Sequence, residues 1–253
     1  TCALPILEHA SELLASGRRV VRSLRPAGRI ANVLTVWDQI WPLAVAGALS
    51  PSITVIVLAL LMRPDRPRTR VLVFWLGAVV AMLVWAILIS SALWGVVTAT
   101  ERSLERFSGA INLVLAVLLL AFAVWRYFRK PPDPGVKPRF DFSDLERHGL
   151  WSEAVFGAVM QGRNVTSVLL FLAAQQHIDT SQIPAYEQLA LTFIVIGIIT
   201  ASIWLPLLLP VKATDALHSR LAKPRDWLEK HTKVIEVSAA LLGSAYLFYR
   251  ALA

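Results

Sequence analysis

Two short polar clusters interrupt segments of the chain that are otherwise apolar. In the second half, Gln161, Gly162, Arg163 and Asn164 follow one another inside a long apolar run. A charged side chain at membrane depth is costly, so arginines there usually face a bundle interior or a water-filled cavity. A planar guanidinium suits carboxylate, sulfate or phosphate groups. This cluster therefore predicts a site for an anionic group, held by the arginine and oriented by its polar neighbours.

Ser50 and Pro51 interrupt the corresponding position of the first half. A proline inside a helix removes one hydrogen bond and clashes with the preceding turn, so nearby carbonyl groups need other partners. Ser50, Ser52 or Thr54 could supply one of them. Broken helices at matching positions of two halves point to a binding site near the membrane midplane. The predicted substrate-binding residues are Ser50, Pro51, Gln161, Gly162, Arg163 and Asn164.

Each cluster also has a purely structural explanation. Proline kinks occur in membrane helices that bind nothing, and Arg163 could extend its guanidinium to the membrane surface. It lies about nine residues beyond Ala154, roughly 13 Å at 1.5 Å per residue. That depth is long for such an extension, so we favour a role in a cavity.

Three carboxylates near the ends of apolar segments have ordinary explanations. Glu236 lies one turn from Lys233, which predicts an exposed i,i+3 ion pair. Asp38 and Glu153 lie near the start of a segment, where a carboxylate suits a helix N-terminus. The sequence therefore predicts no acidic proton carrier deep in a membrane helix.

The composition places these clusters in a membrane protein. The chain is 56% hydrophobic and 17% charged, whereas soluble proteins are about 25% charged. A membrane helix needs about 20 apolar residues, and the candidate segments are 39–62, 71–100, 107–125, 154–178, 188–211 and 232–249. These runs are continuously apolar, which excludes the alternating strands of a barrel. We predict an all-α polytopic membrane protein with six transmembrane helices.

The polar loop at residues 130–150 divides the six segments into two groups of three. Because three is odd, the two groups must enter the membrane from opposite sides, which is the geometry of an inverted repeat. The predicted units are a basic N-terminal segment at 1–35, a first three-helix repeat at 36–129, a cytoplasmic linker at 130–150 and a second repeat at 151–253.

The distribution of lysine and arginine predicts the orientation. The loops after segments one, three and five hold four, six and six of them, whereas those after segments two and four hold two and none. The positive-inside rule places the first group in the cytoplasm, so both ends of the core face outward from the inner, plasma membrane. The five arginines within residues 1–35 disagree with this orientation. That segment is either an interfacial amphipathic helix or an upstream extension of the native protein.

Several other functions are disfavoured by the sequence. The net charge of +8 is explained by basic loops facing anionic headgroups, so the expected partners are membrane lipids and not nucleic acid. The single Cys2 forms no internal disulfide. Histidines and carboxylates do not cluster, so we predict no metal site, no cofactor and no catalytic residues. A Walker A motif is missing, which disfavours ATP hydrolysis.

Residues 37–51 (WDQIWPLAVAGALSP), together with Phe74-Trp75-Leu76-Gly77, resemble the opening of the actinobacterial GAP/Sap proteins, the glycopeptidolipid- and sulfolipid-addressing proteins of the LysE exporter superfamily. Residues 162–164 and the apolar run at 168–174 occupy the place of that family's Asn-Pro-Lys-Asn motif and the segment after it. The resemblance covers roughly residues 36–249. Gly162 and Arg163 stand where proline and lysine are expected, so the cation is retained and the proline is lost.

The resemblance implies a membrane exporter of a lipid-linked or small amphipathic substrate that works by alternating access. The alternative is an accessory or scaffold protein of a larger complex that exports cell-envelope lipids, without transport by this chain alone. An intramembrane enzyme is a third, weaker possibility, because no acid–base or metal groups are expected at membrane depth.

Overall fold

The computed structural model describes residues 26–63, 65–97, 104–129, 149–208 and 215–252. Within these ranges the chain is helical and contains no strand. The helices are α1 (Pro26–Ala48), α2 (Pro51–Leu61), α3 (Pro67–Val97), α4 (Leu104–Phe128), α5 (Gly149–Gly162), α6 (Val165–Asp179), α7 (Ala185–Ile199), α8 (Ala201–Trp204, continued by the 3-10 helix Leu205–Leu208) and α9 (Asp215–Leu252). The prediction of an all-α membrane protein is confirmed.

Three segments of these helices are long and apolar enough to cross a membrane without interruption: Pro67–Leu93, Gly109–Phe128 and Lys230–Leu252. The other three candidates are pairs of helices bent at a short break. The α1–α2 pair bends by 55°, the α5–α6 pair by 74° and the α7–α8 pair by 49°. The described residues therefore contain three unbroken spans, and six if each bent pair counts as one span.

Two of the three bends were predicted from the sequence. The first break, at Leu49 and Ser50, comes directly before Pro51, and the second, at Arg163 and Asn164, follows Gly162. The third break, at Thr200, was missed because the run carries no charge and its first proline, Pro206, comes six residues later. The Thr200 hydroxyl forms two hydrogen bonds at this break. It donates to the Ile196 carbonyl at 2.8 Å and accepts from the Trp75 indole N–H at 3.0 Å.

Helix α6 lies at the centre of the molecule, and most of its residues are buried. It packs against α1, α3, α4 and α7, and Leu170 and Phe171 are completely buried in the main apolar cluster. Many large apolar side chains on α3 and α4 are instead exposed, for example Ile87 and Val114. Exposed apolar faces of this kind suit contact with lipid tails, which are as apolar as these side chains.

Helices α3 and α5 cross at unusually short range, and glycine permits it. A Cβ atom added to Gly77 would lie 1.8 Å from the Ala154 carbonyl oxygen, and one added to Gly157 would lie 2.0 Å from the Phe74 carbonyl oxygen. Small residues let helix backbones approach closely in membranes. Each of these two glycines therefore accommodates the backbone of the facing helix.

An ion pair closes the same α3–α5 interface. The Glu153 side chain is completely buried; its Oε1 atom accepts a hydrogen bond from Arg70 Nη1 at 2.7 Å, and Arg63 Nη1 lies 3.8 Å away. The interpretation of Glu153 as a residue that suits a helix N-terminus was incomplete, because its partners are side chains from another helix and loop. For Asp38 the same interpretation was wrong, since α1 begins at Pro26 and places this exposed residue in the helix interior.

The predicted units fall partly outside the described residues. Of the basic segment 1–35, residues 1–25 lie outside them, and the remainder forms the first turns of α1. Residues 130–148 of the predicted linker also lie outside them. The arrangement as two inverted repeats remains a prediction.

Candidate functional site

The first break leaves a backbone carbonyl that no residue of its own helix satisfies. Pro51 is the first residue of α2. The backbone N–H that proline lacks would have no partner inside the helix at this position. The Ser50 carbonyl accepts from the Thr54 hydroxyl at 3.0 Å, so one of the predicted local partners is used. The Gly47 carbonyl instead accepts from the hydroxyl of Ser167, a residue of α6, at 2.5 Å.

The second break is capped by Asn164. Its side-chain oxygen accepts from the Ser167 backbone N–H at 3.4 Å, which caps the start of α6. Its side-chain nitrogen donates to the Ser167 hydroxyl at 2.7 Å. An asparagine in this position satisfies donors that would otherwise be unpaired at the first turn of a helix.

A short chain of hydrogen bonds joins the two breaks. The same Asn164 nitrogen donates to the Ser50 hydroxyl at 2.8 Å, across 114 residues of sequence. Together with the bond from Ser167 to Gly47, this places the interrupted backbone of α1–α2 directly against that of α5–α6. The two polar clusters found in the sequence are thus parts of one structure.

A cavity of about 720 Å³ opens where the breaks meet. We call it the cationic cavity. Its charged residues are Arg126, Arg129, Arg163 and Glu236, its uncharged polar residues are Ser50, Ser52, Asn164 and Thr166, and its apolar residues are Ile53, Ile56, Phe122, Trp125, Met160 and Val165. Three guanidinium groups and one carboxylate give the lining a formal charge of plus two over the residues that the structure describes. Apolar walls with a few convergent polar groups are typical of sites for small molecules.

The three arginines of the cavity differ in how they are already engaged. Arg126 Nε donates to Glu236 Oε2 at 2.7 Å. The Arg129 guanidinium lies 4.8 Å from the centre of the Trp125 ring, a cation–π contact. Arg163 is exposed and forms no ion pair with any residue that the structure describes. Arg163 is therefore the arginine with most of its hydrogen-bonding capacity available for a ligand.

Glu236 is a member of the cavity, so the interpretation of this residue as the partner of Lys233 was wrong. Its carboxylate binds Arg126 through one oxygen and accepts a hydrogen bond from the Ser52 hydroxyl through the other. Lys233 instead donates to the Arg129 carbonyl at 3.3 Å. An i,i+3 spacing permits an ion pair on a helix, but here the facing helices offer better-placed partners.

The remaining predicted site residues lie beside the cavity and not in its lining. Pro51 is buried and contributes to a separate, mostly apolar cavity of about 340 Å³ on the other side of Ser50. Gln161 is 1% exposed, and both atoms of its amide are buried without a hydrogen-bond partner among the described residues. A Cβ atom at Gly162 would meet nothing closer than Trp85 Nε1, at 4.0 Å. Gly162 thus weakens the helix without enabling any close approach.

Sequence reasoning missed the residues that reach the cavity from other helices. Arg126 and Glu236 come from the ends of segments where charges are common, so nothing marked them as cavity residues. For Ser167 the usable signal was Asn164, since an asparagine directly before a helix is a preferred N-cap that accepts from the backbone N–H three residues on.

Comparison with known proteins identifies the family. A family model described as "Sap, sulfolipid-1-addressing protein" matches residues 40–253. The chain belongs to this family. The resemblance to the GAP/Sap proteins is thereby confirmed, while the link to the LysE superfamily stays a prediction. No curated protein and no solved structure matches the chain.

Membership in the Sap family and the apolar helices together describe a multi-pass membrane protein connected with lipid export. Within the described residues, no group of three or more histidine, cysteine, aspartate or glutamate side chains could hold a metal ion. The chemistry available in the cationic cavity is the binding of an anion beside an apolar surface.

Proposed function

We infer that this Sap-family protein is a transporter that exports an anionic, lipid-linked or amphipathic substrate. The observation that carries this proposal is the cationic cavity, which lies where the breaks of α1–α2 and α5–α6 meet and combines three guanidinium groups with apolar walls. In secondary transporters, broken helices supply the substrate site and the two repeats move around it. Here residues 36–129 and 151–253 would be the two moving units.

The contacts at the two breaks suggest how such a motion would change the substrate site. Asn164 and Ser167 hold Ser50 and Gly47 by hydrogen bonds, each worth about 0.5–1.5 kcal/mol. Interactions of this size are strong enough to hold one arrangement and weak enough to be exchanged. Movement of α5–α6 relative to α1–α2 would change the distance between Ser50 and Arg163 and so alter the affinity for the anion.

The position of the cavity suggests that it faces the cytoplasm. Arg126 and Arg129 lie at the end of α4, directly before the loop that the positive-inside rule assigns to the cytoplasm. An exporter loads its substrate on that side. We therefore propose that the cationic cavity is the loading site.

The test is translocation by the purified chain in liposomes, with fluorescent phosphatidylglycerol as the anionic probe and fluorescent phosphatidylcholine as its zwitterionic control. We expect the chain alone to accelerate movement of the anionic lipid between leaflets. Arg163→Ala should slow it about tenfold or more, because a charge-assisted hydrogen bond is worth about 1.5–3 kcal/mol. Arg163→Lys should be intermediate, since it keeps the charge but loses the planar fork.

Arg66→Ala is the matched control, because Arg66 is exposed and does not line the cavity. Unchanged translocation by Arg163→Ala would reject the proposed role of the cavity. Translocation only after addition of another membrane complex would favour the accessory or scaffold function instead.

A further inference from the structure

Gln161 lies on the last turn of the α5 face that packs against α3. The buried residues of α5 are Glu153, Phe156, Gly157 and Gln161, and this spacing places all four on one side of the helix. The first three have partners on α3: an ion pair, a ring contact and a close backbone contact, respectively. Gln161 differs, because neither its amide nitrogen nor its amide oxygen has a hydrogen-bond partner among the described residues.

A buried amide in this condition disfavours the conformation that contains it. The Gln161 side chain is 1% exposed, so its polar atoms have lost their hydrogen bonds to water and gained none from the described residues. Methionine has a similar length and would fill the same space without this cost. A glutamine at this position is explained if its amide finds hydrogen-bond partners in another conformation of the chain.

The cationic cavity is lined by the sequence neighbours of this amide. Met160, Arg163 and Asn164 line the cavity, whereas Gln161 does not. Successive residues of an α-helix lie about 100° apart around its axis. A rotation of the last turn of α5 by that amount would place Gln161 where Met160 now lines the cavity.

The end of α5 has room to move, whereas its middle does not. A Cβ atom at Gly162 would meet nothing closer than 4.0 Å, but one at Gly157 would lie 2.0 Å from a backbone oxygen of α3. Glycine also adopts backbone conformations that other residues disfavour, and α5 ends at Gly162, where the α5–α6 pair bends by 74°. The last turn can therefore unwind about Gly162 while the rest of α5 stays packed against α3.

We propose that Gln161 moves into the cationic cavity when the anion binds and donates its amide N–H groups to that anion, beside Arg163. A side-chain amide carries two N–H donors, and hydrogen bonds to an ionised acceptor are stronger than those between neutral groups. The anion thus favours the conformation in which the amide is satisfied. This inference rests on the proposed function, because it adds a further anion-binding side chain to the loading site.

The first experiment measures the stability and the anion affinity of one variant, Gln161→Met, in the full chain. Its thermal unfolding midpoint in detergent micelles should rise by about 2–4 °C, because the unsatisfied amide is removed. Its affinity for phosphatidylglycerol, measured by native mass spectrometry in phosphatidylcholine nanodiscs, should fall about tenfold, the effect of losing one hydrogen bond to a charged group. A side chain that only packs would not give opposite changes in these two quantities.

Two further variants serve as controls for the affinity measurement. Gln161→Asn keeps the amide on a side chain one methylene shorter and should bind phosphatidylglycerol more tightly than Gln161→Met. Val159→Met places the same new side chain on the same turn, at a position that is 41% exposed and outside the cavity lining. It should leave the affinity unchanged.

The second experiment detects the contact in the chain without any substitution. A phosphatidylglycerol with a diazirine on its headgroup is photolysed in the nanodiscs, and the cross-linked residues are identified by mass spectrometry. We expect cross-links on Gln161 as well as on Met160, and none on Phe156, which lies on the α3-facing side of α5.

A lower unfolding midpoint for Gln161→Met would overturn the proposal, because the amide would then be satisfied in the present conformation. An unchanged affinity in that variant would also overturn it, as would cross-links on Met160 without any on Gln161. Absence of cross-links from every residue of the cavity lining would instead contradict the loading site itself. Failure of this inference and failure of the proposed function are thus distinguishable.

Discussion

The α3–α5 interface and the cationic cavity each contain one glutamate bound to an arginine, in very different surroundings. Glu153 is completely buried and lies 2.7 Å from Arg70, and Glu236 lies at the same distance from Arg126 but is 17% exposed and lines the cavity. Identical ion-pair chemistry can therefore hold two helices together in one place and remain accessible to a ligand in another.

Packing explains the difference between the two regions. At the α3–α5 interface, Gly77 and Gly157 bring the two backbones into direct contact, which leaves no room beside the ion pair. Around Glu236, the large side chains of Phe122, Trp125 and Met160 stand at the edges of an open space. The comparison suggests that the interface is the rigid part of the molecule and the cavity is the part that changes on binding.

The largest expected effect is loss of stability on removal of the buried carboxylate. Glu153→Ala removes the carboxylate that Arg70 binds at 2.7 Å, and breaking a buried pair costs about 3–5 kcal/mol. The free energy of unfolding in an SDS titration measures this loss. Replacing both members, in Glu153→Leu/Arg70→Leu, should cost less than the single change. A cost below about 1 kcal/mol for Glu153→Ala would show that the pair does not stabilise the interface.

The next effect concerns the close helix crossing. Gly77→Ala places a methyl group against the Ala154 carbonyl, so the helices must separate, at a cost of about 1–3 kcal/mol. Gly162→Ala is the matched control, because the space around that position is open and alanine favours helix by about 1 kcal/mol. The same titration compares them. Equal stability of the two variants would contradict the assignment of the interface as the rigid region.

The smallest expected change in stability comes from the cavity pair. Glu236→Gln should alter the unfolding free energy by about 1 kcal/mol or less, as is usual for partly exposed pairs. It raises the formal charge of the lining and frees Arg126, so phosphatidylglycerol should bind about fivefold more tightly, equivalent to about 1 kcal/mol. Native mass spectrometry measures the affinity, with the exposed Asp65→Asn as control. Weaker binding would assign Glu236 a direct contact with the ligand.

The sequence was a good guide wherever local composition decides the outcome. The apolar segments, the α-helical class and the breaks beside Pro51 and Gly162 were all predicted, because hydropathy and helix-breaking residues act over one turn or one span. The third break at Thr200 was missed, since no charged residue marks it and Pro206 comes six residues later. Among the predicted site residues, Ser50, Arg163 and Asn164 are brought into one cavity.

The carboxylates show where local reasoning failed. Glu236 was assigned to its neighbour on the helix, yet it binds Arg126, which is 110 residues away in sequence. Glu153 was assigned to a helix terminus, yet it binds Arg70, 83 residues away. For both side chains, the partner depends on which helices face each other.

By itself, the sequence determined that this protein is a bundle of membrane helices with polar interruptions, because the cost of exposing a peptide group or charge to hydrocarbon is a property of each segment alone. Only the tertiary structure decided that the interruptions meet, through Asn164 and Ser50, and that one carboxylate closes an interface while another lines a cavity. The physical reason is that hydrogen bonds and ion pairs form between whichever groups packing brings within about 3 Å, and packing depends on the whole chain.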